Sequence, residues 1–382
     1  MKQWSVLPRV LIVLTVLAFF TGCGGNGGSG ESVVLSSSGD ALKMRFAAFG
    51  DLQIGTLQSG NASCTNIPQL RQTIIDCAGS DPVPEITFLN GDMVLNMIKD
   101  DGEALKTQLD AWQQLYSGLP DAGRSQLLPI PGNHEVDFED LALNAQAPNP
   151  GAIDQWLLWF VRNGYDFAAG NGPTPAGSNP DSLARDESKL TYSFTRGVTH
   201  FTVIDTDVLT TKTDATTGLV LSGWIAINWI EEDVRKAQLD PSVSEIIIVG
   251  HRPVETPSYS TDSPGIINTA EYPLADRLSA VMSSNSKVKL LLVSHCHAWD
   301  ARKLNNGAGV WQVIVGNAGA PIQEGWNPAG GVYFGYSLID LYQSGKIVLS
   351  NYGRALPPSP QKFYEDSPVA PAPATLRETL TI

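Results

Sequence analysis

From Met44 onwards, short apolar runs alternate with longer amphipathic segments. Six runs of four to seven residues are rich in branched aliphatic and aromatic side chains: Met44–Gly50, Glu85–Asn90, Leu127–Ile130, His200–Asp205, Glu245–Gly250 and Val288–Ser294. Continuous runs of this kind predict strands buried on both faces of a sheet. The segments between them have helical periodicity: Asn66–Cys77, Gly102–Tyr116, Gly223–Ala237 and Ala270–Ser283. Strands separated by helices imply crossover connections and a largely buried sheet.

Three later apolar runs follow one another without intervening helices. They are Val310–Val315, Tyr336–Leu341 and Lys346–Ser350. Because no crossover helix separates them, we expect them to form antiparallel pairs. Together with the earlier runs, they predict one folded domain over residues 43–355.

Two segments depart from this alternation. Residues 138–189 are rich in Asn, Pro and Gly around one amphipathic stretch, Ile153–Val161, which indicates an insertion at the rim of the domain. Trp156 and Trp159 lie at helical spacing in that stretch, so we interpret them as packing residues. Residues 356–382 contain six prolines and predict an extended or disordered tail.

The first residues have the composition of a targeting segment. Lys2 and Arg9 precede the apolar run Val10–Phe20, which small residues follow. The run is shorter than the roughly 20 apolar residues that a membrane helix needs. We therefore interpret residues 1–22 as a signal peptide, which predicts an exported protein.

Cys23 directly follows the small residues, an arrangement that resembles the lipobox of bacterial lipoproteins. The resemblance implies that Cys23 is lipidated and that residues 23–42, which are rich in Gly and Ser, form a flexible tether to the bacterial cell envelope. Phe20 departs from the motif, in which Leu is usual. The alternative is a signal cut elsewhere, which would leave a soluble exported protein.

Export changes how the other cysteines are interpreted. In an oxidising compartment Cys64 and Cys77 could close a disulfide loop, and the alternative is two separately buried thiols. Cys296 lies between His295 and His297. In an extended segment the two imidazoles point the same way and Cys296 points opposite, so we interpret Cys296 as a packing residue.

Composition limits the partners of the protein. Hydrophobic residues make up 42% of the chain, enough to bury a core and to argue against wholesale disorder. There are 25 Lys and Arg against 39 Asp and Glu, a formal net charge of −14. An acidic chain repels polyanions, so we expect no stable binding to nucleic acid.

Polar side chains repeatedly follow the predicted buried strands, where α/β sheets place their ligands. The segments are Asp51-Leu52-Gln53, Gly91-Asp92, Gly132-Asn133-His134-Glu135, His251-Arg252 and His295-Cys296-His297. Four of the five histidines of the chain lie in these segments. Carboxylates, amides and imidazoles that converge on one edge match the ligand chemistry of borderline divalent metals.

This ordered set of motifs resembles the calcineurin-like metallophosphoesterase superfamily over roughly Met44–Tyr352. The resemblance implies an α/β fold with four layers (α/β/β/α), in which two mixed sheets are flanked by helices. It also implies two metal ions between the sheets, at the strand ends.

Residue by residue, the resemblance implies two ligand sets that share Asp92. The first set is Asp51, Gln53, Asp92 and His297, and the second is Asp92, Asn133, His251 and His295. His134 is the implied catalytic imidazole, with Glu135 beside it as an orienter or as a carboxylate at a helix start. Asn133 and Arg252 are expected to contact the substrate.

Three positions depart from the family pattern. Gln53 stands where His is common, and an amide oxygen is a weaker ligand than an imidazole. Ser294 stands where Gly is usual, which we interpret as a backbone difference without consequence. Leu95 stands where purple acid phosphatases supply a metal-binding Tyr, which disfavours that branch. The donor types suit Fe, Mn, Zn or Ni, so the identity of the metals stays open.

The implied activity is metal-dependent hydrolysis of phosphate esters. Two cations neutralise the phosphate oxygens, and a hydroxide that bridges them attacks phosphorus while His134 stabilises charge or protonates the leaving oxygen. The motifs serve phosphomonoesterases and phosphodiesterases alike. The rival interpretation is an anchored binding protein on a catalytically weakened scaffold.

Overall fold

Two mixed sheets of six strands each face one another across an aromatic core. The structure, a computed structural model, describes residues 40–55, 65–120, 123–261, 263–306, 309–356 and 371–382. Residues 40–382 belong to one unit. Cys23 and Cys64 lie outside the described residues.

The first sheet has one parallel half, which ends at an edge strand, and one antiparallel half. Its strands are β1 (Leu42–Phe49), β2 (Ile86–Asn90), β3 (Gln126–Ile130), β12 (Tyr333–Tyr342), β13 (Ile347–Ala355) and β14 (Thr375–Thr381), in the order β14-β13-β12-β1-β2-β3. Strands β1, β2 and β3 run parallel, so their C-terminal ends meet at one edge.

The second sheet has its parallel strands in the centre. Its strands are β6 (Tyr192–Arg196), β7 (Thr199–Val203), β8 (Glu245–Val249), β9 (Val288–Val293), β10 (Trp299–Lys303) and β11 (Trp311–Val315), in the order β10-β11-β9-β8-β7-β6. The four central strands are parallel, and the edge strands β6 and β10 are antiparallel. A separate hairpin pairs β4 (Asp137–Asp140) with β5 (Ala145–Pro148).

Phenylalanines from both sheets meet in the space between them. Phe46 of β1 contacts Phe88 of β2 edge to face, with centroids 5.7 Å apart, and Phe201 of β7 at 5.4 Å. The centroids of Phe88 and Phe201 lie 5.3 Å apart. All three rings are fully buried, and edge-to-face pairs of this kind stabilise a core beyond their buried area.

Helices cover the outer faces of both sheets. They are α1 (Ile67–Ala78), α2 (Glu103–Ser117), α4 (Pro150–Arg162), α5 (Ile227–Leu239) and α6 (Leu274–Ser284), and one short helix, α3 (Asn133–Val136), directly follows the loop after β3. Alternate side chains of β8 pack into different layers of the fold, because successive side chains of a strand point to opposite faces of the sheet. Ile247 packs into the core between the sheets, and Ile246 and Ile248 pack with residues of α5 and α6. The predicted four-layer arrangement with two mixed sheets is confirmed.

One predicted strand pairing is wrong. The run Val310–Val315 forms β11, which lies parallel to β9 and antiparallel to β10 rather than beside the other late strands. Strand β10 has the sequence WDARK. Three of its five residues are charged, so it is not an apolar run and the sequence pattern does not predict it as a strand. Strands β12 and β13 do pair with one another antiparallel, as expected.

The end of the chain also differs from its prediction. Residues 375–381 form β14, which pairs antiparallel with β13, so the predicted extended or disordered tail is wrong for this part. The backbone N–H of Ala374 donates to Asp76 at 2.7 Å, which ties the start of this strand to α1. Residues 357–370 lie outside the described residues.

The segment 138–189 contributes to the helical layer as well as to the rim. Helix α4 begins after Asn149, whose side chain caps it, and packs against α2. Trp156 and Trp159 are buried, and the ring of Trp159 lies 5.9 Å from that of Trp112 of α2. Both tryptophans are therefore packing residues, as their spacing predicts.

Cys77 is a free thiol, buried on the inner face of α1. Burial raises the pKa of this thiol to about 12, which makes it unreactive. Within the residues that the structure describes Cys77 has no disulfide, but Cys64, the other half of the predicted disulfide, lies outside them, so the pairing of Cys64 with Cys77 stays a prediction. Cys296 is buried and free as well, which agrees with a packing role.

Within the described part of the chain, no helix has the length and apolar character needed to cross a bilayer.

If α4 belongs to the core, Trp156→Ala should lower the free energy of unfolding by about 3–5 kcal/mol, the usual cost of truncating a buried tryptophan. Leu158, which is 64% exposed on the same helix, offers a matched control. Leu158→Ala should change the value by less than about 0.5 kcal/mol. Urea denaturation measures both, and equal effects would contradict this packing.

Candidate metal centre

The C-terminal ends of five parallel strands converge where the two sheets meet. Two groups of side chains there share Asp92: one is Asp92, His251 and His295, and the other is Asp51, Asp92 and His297. Within each group the potential ligand atoms lie within 4.8 Å of one another. The first sheet supplies the carboxylates and the second sheet supplies the imidazoles.

The backbone at this edge is strained. Five site residues have positive φ: Asp51 (56°), Gln53 (47°), Asp92 (53°), His295 (72°) and His297 (42°). Such conformations cost non-glycine residues on the order of 1–3 kcal/mol each and persist only where surrounding contacts fix them. Two of those contacts are the N–H groups of Leu52 and Gln53, which both donate to the carbonyl of Asp92.

Glycines allow the close approach of the ligand side chains. A Cβ at Gly132 would overlap the Asp92 carboxylate, and one at Gly316 would overlap the Asp51 carboxylate. The sequence patterns assign these glycines no role. The only signal for Gly132 is its place directly before Asn133.

Three imidazoles are oriented by backbone carbonyls. In each, Nδ1 lies within hydrogen-bond distance of a carbonyl oxygen: His251 with Asn90 (2.7 Å), His297 with Pro321 (2.9 Å) and His134 with Asn96 (2.8 Å). Because a carbonyl only accepts, each Nδ1 carries a proton, and Nε2 is the ring atom left to face the site. This is the usual way in which proteins orient imidazole ligands.

His295 is held differently. Its Nδ1 lies 3.1 Å from Nε2 of His251, and its Nε2 lies 3.3 Å from Nη1 of Arg252. Burial and the charge of Arg252 hold the pKa of His295 well below its ordinary value. The ring is therefore neutral, the form that binds metals.

The charges at the centre are strongly coupled. Burial would raise the pKa of Asp92, but the charges of His251 and His134 outweigh it and hold that pKa well below its ordinary value. Burial lowers the pKa of His251, yet Asp92, 3.3 Å away, raises it to about 9. Burial lowers the pKa of His297 to about 4.

These residues fit divalent cations. Oδ1 of Asp51 is buried without a hydrogen-bond partner and faces Nε2 of His297 at 3.8 Å. An orphaned carboxylate oxygen beside an imidazole lone pair is costly unless a cation lies between them. Mixed carboxylate and imidazole donors suit a divalent metal.

The two predicted amide ligands lie at the same edge. Oδ1 of Asn133 is 3.0 Å from Nε2 of His251. The amide of Gln53 lies between the rings of His297 and His134, with Nε2 at 3.1 and 3.2 Å from their Nε2 atoms. Rotating this amide by 180° would exchange its nitrogen and oxygen at that position.

Ser294 has a definite role, contrary to expectation. Its hydroxyl donates to Oδ2 of Asp51 at 2.7 Å. A Cβ at Gly50 would overlap this side chain, so a glycine makes room for it. Ser294 thus orients a carboxylate of the centre.

Glu135 acts through the backbone. Its carboxylate is fully buried and accepts from the N–H groups of Asp92, Val94 and Gly132 at 2.8–3.0 Å. Burial and the charge of Asp92 raise its pKa to about 8, and the N–H groups of Gly132 and Val94 oppose this shift. The contact with Gly132 is that of a carboxylate at a helix start, and the contacts with Asp92 and Val94 orient the backbone of a predicted ligand. Both interpretations therefore apply, and Glu135 is a positioning residue rather than a catalytic one.

Arg252 has no N–H group left to donate to a bound phosphate, which corrects its expected role. It is 1% exposed, and all five of its N–H groups have acceptors. Its contacts are Asp207 from Nε (2.8 Å), Pro264 O and His295 from Nη1 (2.9 and 3.3 Å), and Ser222 and Gln146 from Nη2 (2.9 and 3.3 Å). The guanidinium therefore braces the loops behind the centre.

We expect Gly316→Ala to displace Asp51 and to weaken metal binding by about 10–100-fold, as loss of ligand orientation usually does. Gly330→Ala serves as the control, because a Cβ at Gly330 would project into open space. Metal content after dialysis, measured by mass spectrometry, tests this. Equal metal content in both variants would contradict the role of Gly316.

Solved structures of other proteins share this fold. Similar folds include purple acid phosphatase PPD1 from yellow lupin (Lupinus luteus) seeds, 13% identical with a TM-score of 0.56, where the match covers 88% of this chain and 53% of that one. A dimetal phosphatase from Danio rerio is 13% identical with a TM-score of 0.50, over 82% and 97% of the chains. PhoD is 11% identical with a TM-score of 0.53, over 90% and 70%.

At these identities the likeness shows the fold alone, and this chain spans about half the length of the lupin protein. Among curated proteins no match was found. The sequence model for calcineurin-like phosphoesterases matches residues 44–298, more than half of the chain. The chain therefore belongs to the calcineurin-like phosphoesterase family.

Proposed function

We propose that this protein hydrolyses phosphate esters at a centre of two metal ions bridged by Asp92. The observation that carries the proposal is that Asp92 belongs to both ligand groups. One buried carboxylate with an oxygen available to each group suits two adjacent cations. The family membership of the chain supports phosphoester hydrolysis as the reaction.

The proposed ligands follow the two groups. Asp51, Asp92 and His297 hold the first ion, with the Gln53 amide oxygen as a weaker fourth ligand. Asp92, Asn133, His251 and His295 hold the second. The donor types leave Fe, Mn, Zn or Ni as the ions.

When bound, the two ions neutralise the phosphate oxygens and lower the pKa of the water that attacks phosphorus. Asn96 fixes the His134 ring through Nδ1, which directs Nε2 toward the centre. The ring is 18% exposed and its Nε2 lies 3.7 Å from Oδ2 of Asp92. His134 can therefore reach a bound ester, stabilise charge on it and donate a proton to the leaving oxygen.

Metal binding and turnover should separate by residue. Asp92→Ala should lose bound metal and nearly all activity, because it removes the shared ligand. His134→Ala should keep its metal and lose about 10²–10⁴-fold in kcat, the usual contribution of one positioned acid. His200, whose side chain contacts Thr195 and Asp233 instead, provides the control His200→Gln.

Metal analysis and turnover of p-nitrophenyl phosphate and bis-p-nitrophenyl phosphate with added Mn²⁺ make this measurement. The pair of substrates separates monoesterase from diesterase activity. Loss of metal in His134→Ala equal to that in Asp92→Ala would refute the role of His134. A metal-loaded wild type that turns over neither ester would favour the binding-protein alternative.

We further propose that Cys23 is lipidated and anchors the protein to the bacterial cell envelope. The support is the sequence of residues 1–23 alone, since these residues lie outside the described part of the chain. Full-length protein should incorporate a labelled fatty-acid analogue, and Cys23→Ala should not, because the acceptor thiol is missing. Equal labelling of the two would contradict the anchor.

A further inference from the structure

We propose that a cleft beside the second ligand group binds the leaving group of the substrate and selects uncharged, hydroxyl-bearing alcohols such as sugars and polyols. This inference rests on the proposed phosphoesterase function. The cleft has a volume of about 640 Å³, within the range of roughly 300–1,000 Å³ typical of small-molecule sites. Its lining includes Glu139, Asn144, Gln146, Ser222, Arg252 and Ile267.

Arg252 connects this cleft to the centre. Its Nη1 lies 3.3 Å from Nε2 of His295, and its Nη2 lies 3.3 Å from Oε1 of Gln146 in the cleft wall. The cleft and the second ligand group are therefore neighbours across one guanidinium. On this proposal, an ester whose phosphate lies at the centre would extend its alcohol past the Arg252 side chain into this space.

The hairpin of β4 and β5 forms one wall, and it starts directly after α3, which carries Asn133 and His134. Alternation along β4 places Asp137 and Glu139 on one face. Asp137 approaches Ser222 and Arg252 there, and Gln146 is the cross-strand partner of Glu139. Glu139 and Gln146 thus present a carboxylate and an amide side by side.

The charge of the lining selects the ligand. Among the described residues that line the cleft, Arg252 is the one cation, and its N–H groups are already donated to Asp207 and its other acceptors. The negative charge of the exposed Glu139 carboxylate is therefore the charge of the lining that no neighbouring cation neutralises. A leaving group with a second phosphate would be repelled, whereas hydroxyls can donate to Glu139 and accept from the amide of Asn144.

The lining also lacks an aromatic ring among its described residues. A nucleobase would therefore find no ring on which to stack. Ile267 and backbone of Gly223 and Gly265 offer small apolar contacts instead. These features favour a compact polyhydroxyl group over a nucleoside.

The test compares glucose 1-phosphate, adenosine 5′-diphosphate and p-nitrophenyl phosphate in the metal-loaded protein. Glu139→Gln keeps the shape and removes the charge. Relative to p-nitrophenyl phosphate, it should lower kcat/KM for glucose 1-phosphate about tenfold, as loss of a charged hydrogen bond does. It should raise the same ratio for the diphosphate, because the repulsion is gone.

Asn144→Gly removes the amide without backbone strain, since Asn144 has φ of 48° and glycine accepts such angles freely. It should lower the glucose 1-phosphate ratio alone. Glu85→Gln, at an exposed position at the opposite end of β2 from Asp92, should change neither ratio. Calorimetry on the His134→Ala background should show weaker binding of glucose 1-phosphate when Glu139→Gln is added.

A wild type that prefers the diphosphate, or a Glu139→Gln variant with both ratios and the binding constant unchanged, would overturn this inference. The proposed function would survive that result, because turnover of p-nitrophenyl phosphate would remain. Absence of turnover of all three esters would overturn the proposed function itself.

Discussion

The buried carboxylate of Asp92 is the charge around which this edge of the molecule is arranged. It is 1% exposed and takes the N–H of His134 on one oxygen, which also lies 3.3 Å from His251. A buried anion is tolerated only where cations and donors surround it. The strained backbone and the glycines beside it follow from the need to bring those partners close.

A second layer of contacts holds this arrangement in place. Glu135 accepts hydrogen bonds from the backbone N–H groups of Asp92 and Val94, and Ser294 donates a hydrogen bond to Asp51. Arg252 sits behind His295 and ties it to Asp207. None of these three side chains belongs to a ligand group, yet each positions a residue of the centre.

The sequence predicted the six central strands and the converging motifs because continuous apolar runs and strand-end polar residues leave a direct signal. Strand β14 was missed because prolines dominate the preceding residues, although TLRETLT alternates as an edge strand does. The roles of Asn90, Asn96 and Pro321 could not be predicted, because they act through backbone carbonyls that every residue possesses. Glu135 and Arg252 were near the right place, but their contacts depend on packing that local patterns do not encode.

The division of the ligands between the sheets has a mechanical consequence. Asp51 and Asp92 follow strands of the first sheet, and His251, His295 and His297 follow strands of the second. A cation bound by both sets would link the two sheets, and its binding free energy would add to the stability of their packing against each other. Without it, the two sheets would be joined by the aromatic contacts of Phe46, Phe88 and Phe201 and, at this edge, by the hydrogen bonds of Asn90 with His251 and of Ser294 with Asp51.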